Sequence, residues 1–144
     1  MPPIAVSHAL VPGDRRVVAW LNHHPRSIMI LHAARRHARR LGCRWCVAYV
    51  ETPASLRTTG NDASQHMLRL CTLAEQMGAE VLAVQAETAQ KGLARLFDIK
   101  KGAIAMLVIG GNDAGRPFAR WRAGPWKHAL QLAGNHTPID IIPL

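Results

Sequence analysis

Carboxylates are scarce in this chain: nine Asp and Glu stand against 18 Lys and Arg in 144 residues, a formal net charge of +9. So few acids leave no evident general acid–base pair. No Ser-His-Asp or Cys-His set has the support that nucleophilic catalysis requires. Cysteine is also sparse. Cys43, Cys46 and Cys71 are an odd, small number, which argues against a disulfide framework. Cys43 to Cys46 has C-x-x-C spacing, but it runs from a helix end into a strand, the reverse of the redox arrangement. It also lacks the second close-spaced ligand pair of a zinc site. No apolar run reaches the roughly 18–20 residues of a bilayer span. Met1 to Gly13 lacks the charged region and apolar block of a secretory signal. The expectation is a cytoplasmic protein.

What is present is enough for a core. The hydrophobic fraction is 49% and the charged fraction 19%, a globular balance for one domain. A chain of this size buries about 68–70% of its unfolded surface. The excess of positive charge implies anionic company: nucleotide phosphate, an anionic membrane face, an acidic protein or nucleic acid. Arg26, Arg35, Arg36, Arg39, Arg40 and Arg44 fall in one segment, and Arg116, Arg120, Arg122 and Lys127 in another. Solvated helix faces are the plain alternative.

Residues 1–15 read as an N-terminal arm and 16–144 as the domain. Arg16 to Leu21 is a short apolar strand stopped by Asn22-His23-His24-Pro25. Ser27 is placed to cap a helix to Leu41. Its apolar positions are Ile28, Leu31, Ala34, Ala38 and Leu41, and Gly42 follows as C-cap. Arg44 to Val50 is the second strand, and a helix follows over about Ala63 to Met77. Val81 to Gln85 is the third strand, with a helix over about Thr88 to Lys100. Ala105 to Ile109 is the fourth strand, ended by Gly110 and Gly111. A short helix from Pro125 to Ala133 and a strand from Ile139 to Ile142 complete the chain. Alternating strands and helices with continuously apolar strands predict an α/β fold. Its form is a five-stranded parallel open sheet with helices on both faces.

In such sheets ligands bind beyond the carboxyl ends of the strands. That rule selects Asn22 to Ser27, Val50 to Pro53 and Gly110 to Trp126. The third joins a Gly-Gly strand end to Gly124-Pro125 at a helix start, where backbone N–H groups and the helix dipole suit phosphate.

The segment Trp45-Cys46-Val47-Ala48-Tyr49-Val50-Glu51-Thr52-Pro53 resembles the "AVYVETP" strand end of the universal-stress-protein domain in KdpD-type osmosensitive potassium-channel sensor kinases. His32 to Gly42 is similar to that family's "RAARLAARLG" helix. Leu68 to Val81 is similar to its "LRLAEELGAEV", and Val108 to Gly111 to its fourth strand. The resemblance spans roughly Arg16 to Leu144. It implies a cytoplasmic sensory domain of two-component signalling or stress response. Such a domain is not itself catalytic or membrane-spanning, and it acts by binding an anionic ligand, a second copy or a partner signalling protein.

The family's nucleotide loop reads G-x2-G-x9-G-[ST]. Gly111, Ala114 and Gly124 fall on that spacing, with Ala114 for the second glycine and Pro125 for the hydroxyl residue. The family's aspartate after the first strand falls on Asn22. The loop is therefore degraded at three positions. The ligand-binding residues implied are Asn22, His23, His24, Ser27, Val50, Gly110, Gly111, Asn112, Ala114, Gly124 and Trp126. ATP or AMP is one implied ligand. A cyclic dinucleotide is another, since some such domains bind one beside an F-T-A-x-Y strand that Trp45 to Tyr49 echoes only in its aromatic ends. No metal site and no certain cofactor are expected.

His32 and His37 lie about 140° apart on their helix, which suits surface positions better than a shared metal. Trp121 and Trp126 among arginines suit a protein interface, and no nucleic-acid module motif accompanies them, so nucleic acid is not an expected partner. Two rivals stay open. One is a nucleotide hydrolase, for which Asp113 is the local carboxylate. The other is a nucleic-acid binder driven by charge.

Overall fold

β1 (Arg16–Trp20) is fully buried and lies in the middle of the sheet. The computed structural model describes residues 15–22, 24–53, 62–99, 103–111, 129, 131–133 and 137–144. After β1 come α1 (Ile28–Leu41), β2 (Arg44–Glu51), α2 (Asp62–Gln76), β3 (Glu80–Gln85), α3 (Ala89–Ile99), β4 (Ile104–Gly111) and β5 (Ile139–Pro143). The strand order is β3-β2-β1-β4-β5, and every pairing is parallel. The predicted α/β fold with a five-stranded parallel sheet is the one observed. Residue 129 and residues 131–133 are helical, within the helix predicted to end at Ala133.

Two cores flank the sheet. On one face Val17, Ala19, Trp45, Val47 and Val108 meet Leu31 and Ala34 of α1 and Leu70 and Ala74 of α2. On the other, Val18, Trp20, Ala48, Leu82 and Ile109 meet Leu93 and Leu96 of α3. The alternation is the pleat at work, since successive side chains point to opposite faces. Burying each large apolar side chain contributes about 1.5–3 kcal/mol. The same alternation divides the C-x-x-C pair. Cys46 packs with the α3 side and Cys43 with the α1 side, so the sheet separates the two thiols.

Two features of α1 differ from expectation. Ile28 and Leu41 are 38% and 43% exposed, and the buried positions are Ile30, Leu31, Ala33, Ala34 and Ala38. Alanines let the helix approach the sheet closely, so the buried stripe follows them rather than the larger residues at the ends. Ser27 precedes the helix in right-handed helical geometry and makes no side-chain cap. Gly42 does terminate α1 as expected, at φ 65°, with its N–H on the carbonyls of Ala38 and Arg39.

Arg16 is a buried charge at the amino end of β1, 2% exposed, and its Nε donates to Glu80 Oε1 at 3.0 Å. His37 is no simple surface residue. Its Nε2 lies 2.6 Å from Asp140 Oδ2 on β5, and Arg40 approaches its Nδ1 at 3.0 Å. With Arg40 donating to Nδ1, the Nε2–H donates to Asp140.

Candidate functional site

Because β2 and β4 lie on opposite sides of β1, the chain reverses its direction of winding between β1 and β4. The carboxyl ends of these two strands therefore open a crevice, the place where doubly wound sheets take ligands. Leu21 still belongs to the ladder, its N–H donating to Ala48 O at 2.9 Å. Asn22 is the first residue beyond it.

Asn22 organises the loop that follows. Its Oδ1 accepts from the His24 N–H at 3.0 Å and from the Ser27 hydroxyl, which also reaches the Asn22 backbone carbonyl at 3.1 Å. An N–H donor on that atom fixes it as the oxygen of the amide. Ser27, wholly buried, thus closes the loop onto Asn22 instead of capping α1. The Ser27 N–H donates to His24 O at 3.0 Å, and the Arg26 N–H donates to His24 Nδ1 at 3.0 Å. From α2, His66 Nε2–H donates to the same His24 carbonyl at 3.1 Å. The Nδ1 of His24 is thereby an acceptor, and the residue is exposed.

Gly110 forms the opposing wall. A Cβ there would lie 3.3 Å from Asn22 Nδ2 and would run into the Leu144 side chain. The bare backbone of Gly110 is what lets both groups close on β4. The Leu144 N–H donates to Gly111 O at 3.3 Å, so the residue that follows β5 crosses the strand end. With the Asn22 oxygens engaged, the amide that faces the crevice offers Nδ2, a donor. Among the described residues the crevice presents the N–H donor of the Asn22 amide beside Gly110, and that polarity suits an anion.

The expected site residues divide as follows. Asn22, His24, Ser27, Gly110 and Gly111 come together at the crevice. Val50 stands at the carboxyl end of β2, but its side chain packs against the α3 core, where a Cβ on Gly92 would lie 2.7 Å from Val50 Cγ2. His23, Asn112, Ala114, Gly124 and Trp126 lie outside the described residues, as do Asp113 and Pro125. The sequence did not point to His66 or Leu144. Each is brought in by tertiary folding from far along the chain.

Beside the crevice, Tyr49 and Glu51 share the end of β2. The Tyr49 hydroxyl donates to Glu51 Oε1 at 3.3 Å. Burial, with smaller contributions from neighbouring Cys71 and Glu51, pushes the phenol up to about 12. Burial also pushes the Cys71 thiol up to about 11, with Glu75 adding to it. Both groups are neutral near pH 7. Among the described residues no cluster of His, Cys, Asp and Glu could hold a metal ion, and no helix is long and apolar enough to cross a membrane.

No family model matches the sequence, and no curated protein matches it. Solved structures do match. A universal stress protein in complex with cAMP shares 16% identity, covering 90% of this chain and 97% of that one, with a TM-score of 0.66. The universal stress protein from Archaeoglobus fulgidus in complex with dAMP shares 13% identity over 89% and 97%, with a TM-score of 0.58. A macrolide-efflux protein from Streptococcus pneumoniae shares 17% identity over 96% of this chain and 48% of that one, with a TM-score of 0.54. At such identities the likeness is one of fold: this chain has the fold of the universal stress proteins. The third match shows the same architecture carried by a protein of different description, so function must be argued from the crevice.

Proposed function

We propose that this domain is a non-catalytic sensory or regulatory module that binds an anionic, nucleotide-like ligand in the β1–β4 crevice. One observation carries the reading: Asn22, tied down by Ser27 and His24, presents its amide donor against the bare backbone of Gly110. Adenine nucleotides are the favoured class, since two proteins of this fold were solved with cAMP and dAMP. ATP, AMP and cyclic dinucleotides belong to the same set. Asn22 is uncharged and its oxygens are occupied, which suits holding a phosphate or a base edge better than carrying a metal for hydrolysis. The resemblance of Trp45 to Pro53 to the KdpD-type sensor kinases supports a role in potassium or osmotic signalling, as part of such a kinase or beside one. β5 is an edge strand with half-buried Ile139, Ile141 and Ile142, which supports pairing with a second copy or a partner signalling protein.

Titration calorimetry of the full chain with AMP, ATP, cAMP and cyclic di-AMP tests the proposal. Binding of at least one is expected, weakened tenfold or more by Asn22→Ala with the far-UV circular dichroism retained. Silence across the panel would overturn the nucleotide reading, and ATP turnover lost in Asp113→Asn would overturn the non-catalytic one.

A further inference from the structure

From Arg15 to Val50 the chain contains eight arginines and no Asp, Glu or Lys. The fold sets most of them on one side. Arg36, Arg39 and Arg40 are exposed on α1 and Arg35 is half-buried there, with exposed Arg44 just past the helix at the start of β2. At about 100° per residue, Arg35 and Arg39 form one row along the outer face of α1 and Arg36 and Arg40 a second, with His32 between them. Among the described residues the ion pairs are Arg16–Glu80 and Lys91–Glu87, and His37 is hydrogen-bonded to Asp140. None engages Arg35, Arg36, Arg39 or Arg44. Among the described residues Arg40 lies against the His37 ring.

This arrangement works against the helix. Like charges at i,i+4 repel, and both rows are such pairs. One or two basic residues in the last turn would satisfy the helix dipole. The surplus is exposed or half-buried, has no acidic partner among the described residues, and is all guanidinium, the group whose planar fork matches phosphate oxygens. Two rows running along a helix suit a linear polyanion lying between them. The exposed apolar residues on α1, Ile28, Met29 and Leu41, are 38%, 42% and 43% exposed and sit toward the two ends of the helix. They form no continuous face for insertion into a bilayer, so charge is the dominant feature.

We infer that the outer face of α1, with Arg44, binds the phosphodiester backbone of nucleic acid without reading its sequence. This surface is separate from the β1–β4 crevice and does not depend on a nucleotide binding there. Its residues are also distinct from the Trp121–Trp126 segment, whose composition suits a protein interface.

Fluorescence anisotropy with labelled 20-nucleotide single strands and a 20-base-pair duplex tests the inference on the full chain. With about five phosphates engaged, log affinity is expected to fall against log salt with a slope of about −3.5 for single strands and about −4.5 for duplex. Arg36→Gln/Arg39→Gln is expected to weaken binding about 10–100-fold near 0.1 M salt and to flatten the slope by about 1 per arginine. Arg36→Lys/Arg39→Lys is expected to keep the slope. Circular dichroism verifies that each variant is folded. Three outcomes overturn the inference. The first is no oligonucleotide binding. The second is binding unchanged in Arg36→Gln/Arg39→Gln but lost in Arg116→Gln/Arg120→Gln/Arg122→Gln. The third is tighter binding, through these same arginines, to phosphatidylserine–phosphatidylcholine vesicles than to either oligonucleotide.

Discussion

Two glycines show how one residue type serves two physical ends. Gly42 has open space where a Cβ would go, yet its φ of 65° lies in the left-handed region. Gly92 has helical backbone but no room: a Cβ would stand 2.7 Å from Val50 Cγ2 and 3.5 Å from the far edge of Trp20. Alanine at Gly42 therefore costs about 1–2 kcal/mol through the backbone alone. At Gly92 the overpacking cost of about 1–3 kcal/mol is offset by about 1 kcal/mol of helix propensity. Urea denaturation is expected to find both variants destabilised. Pairing each with Val50→Ala separates the causes: the cost at Gly92 shrinks because space opens, and the cost at Gly42 does not change.

Among the elements, a polar contact across 103 positions of sequence, His37 to Asp140, joins α1 and β5. The two side chains are 22% and 36% exposed, so screening limits the pair. A double-mutant cycle with His37→Ala and Asp140→Ala is expected to give a coupling of about 0.5–1.5 kcal/mol. A coupling near zero would leave the edge strand held by its ladder and its isoleucines alone. Nothing in the chain's local pattern announces this contact. The parallel strands are legible because burial on both faces makes them continuous apolar runs, as in Leu107-Val108-Ile109. Gly42 is legible as a helix end because a positive φ asks for glycine. The stripe of α1 is legible only to within a position, since Ala33, Ala34 and Ala38 carry less apolar signal than the exposed Ile28 and Leu41. Ser27 looked like a cap because a serine before a helix commonly is one, and Asn22 offered its hydroxyl better acceptors. At the crevice, Asn22, His24, Ser27, Gly110 and Gly111 follow from the rule of strand ends. His66 and Leu144 are set by three-dimensional proximity, to which periodicity is blind.

For the molecule as a whole, alkaline pH is the sensitive direction. Tyr49 and Cys71 have folded-state values of about 12 and about 11, above their ordinary values of 10.0 and 9.0. Between those limits the unfolded chain loses protons that the folded one keeps, so stability falls as pH rises. These two groups contribute their full stability below about pH 9 and lose it progressively up to about pH 12. Thermal melts are expected to be flat in this respect from pH 7 to 8.5 and to drop by pH 10.5. Tyr49→Phe/Cys71→Ala should flatten the drop, and an undiminished drop in that variant would remove these groups as its cause.

The central position of β1 has a further consequence, for the order of events during synthesis. One edge of β1 pairs with β2, which follows within about 30 residues, but the other waits for β4, whose first residue is Ile104. At ~5–20 residues per second, the interval from Trp20 to Ile104 lasts roughly 4–17 s. Throughout that time the nascent chain carries an apolar strand with one unsatisfied hydrogen-bonding edge, a template for pairing with any other extended chain. The fold is thus most exposed to aggregation while still attached to the ribosome, and that window closes when β4 slides in beside β1.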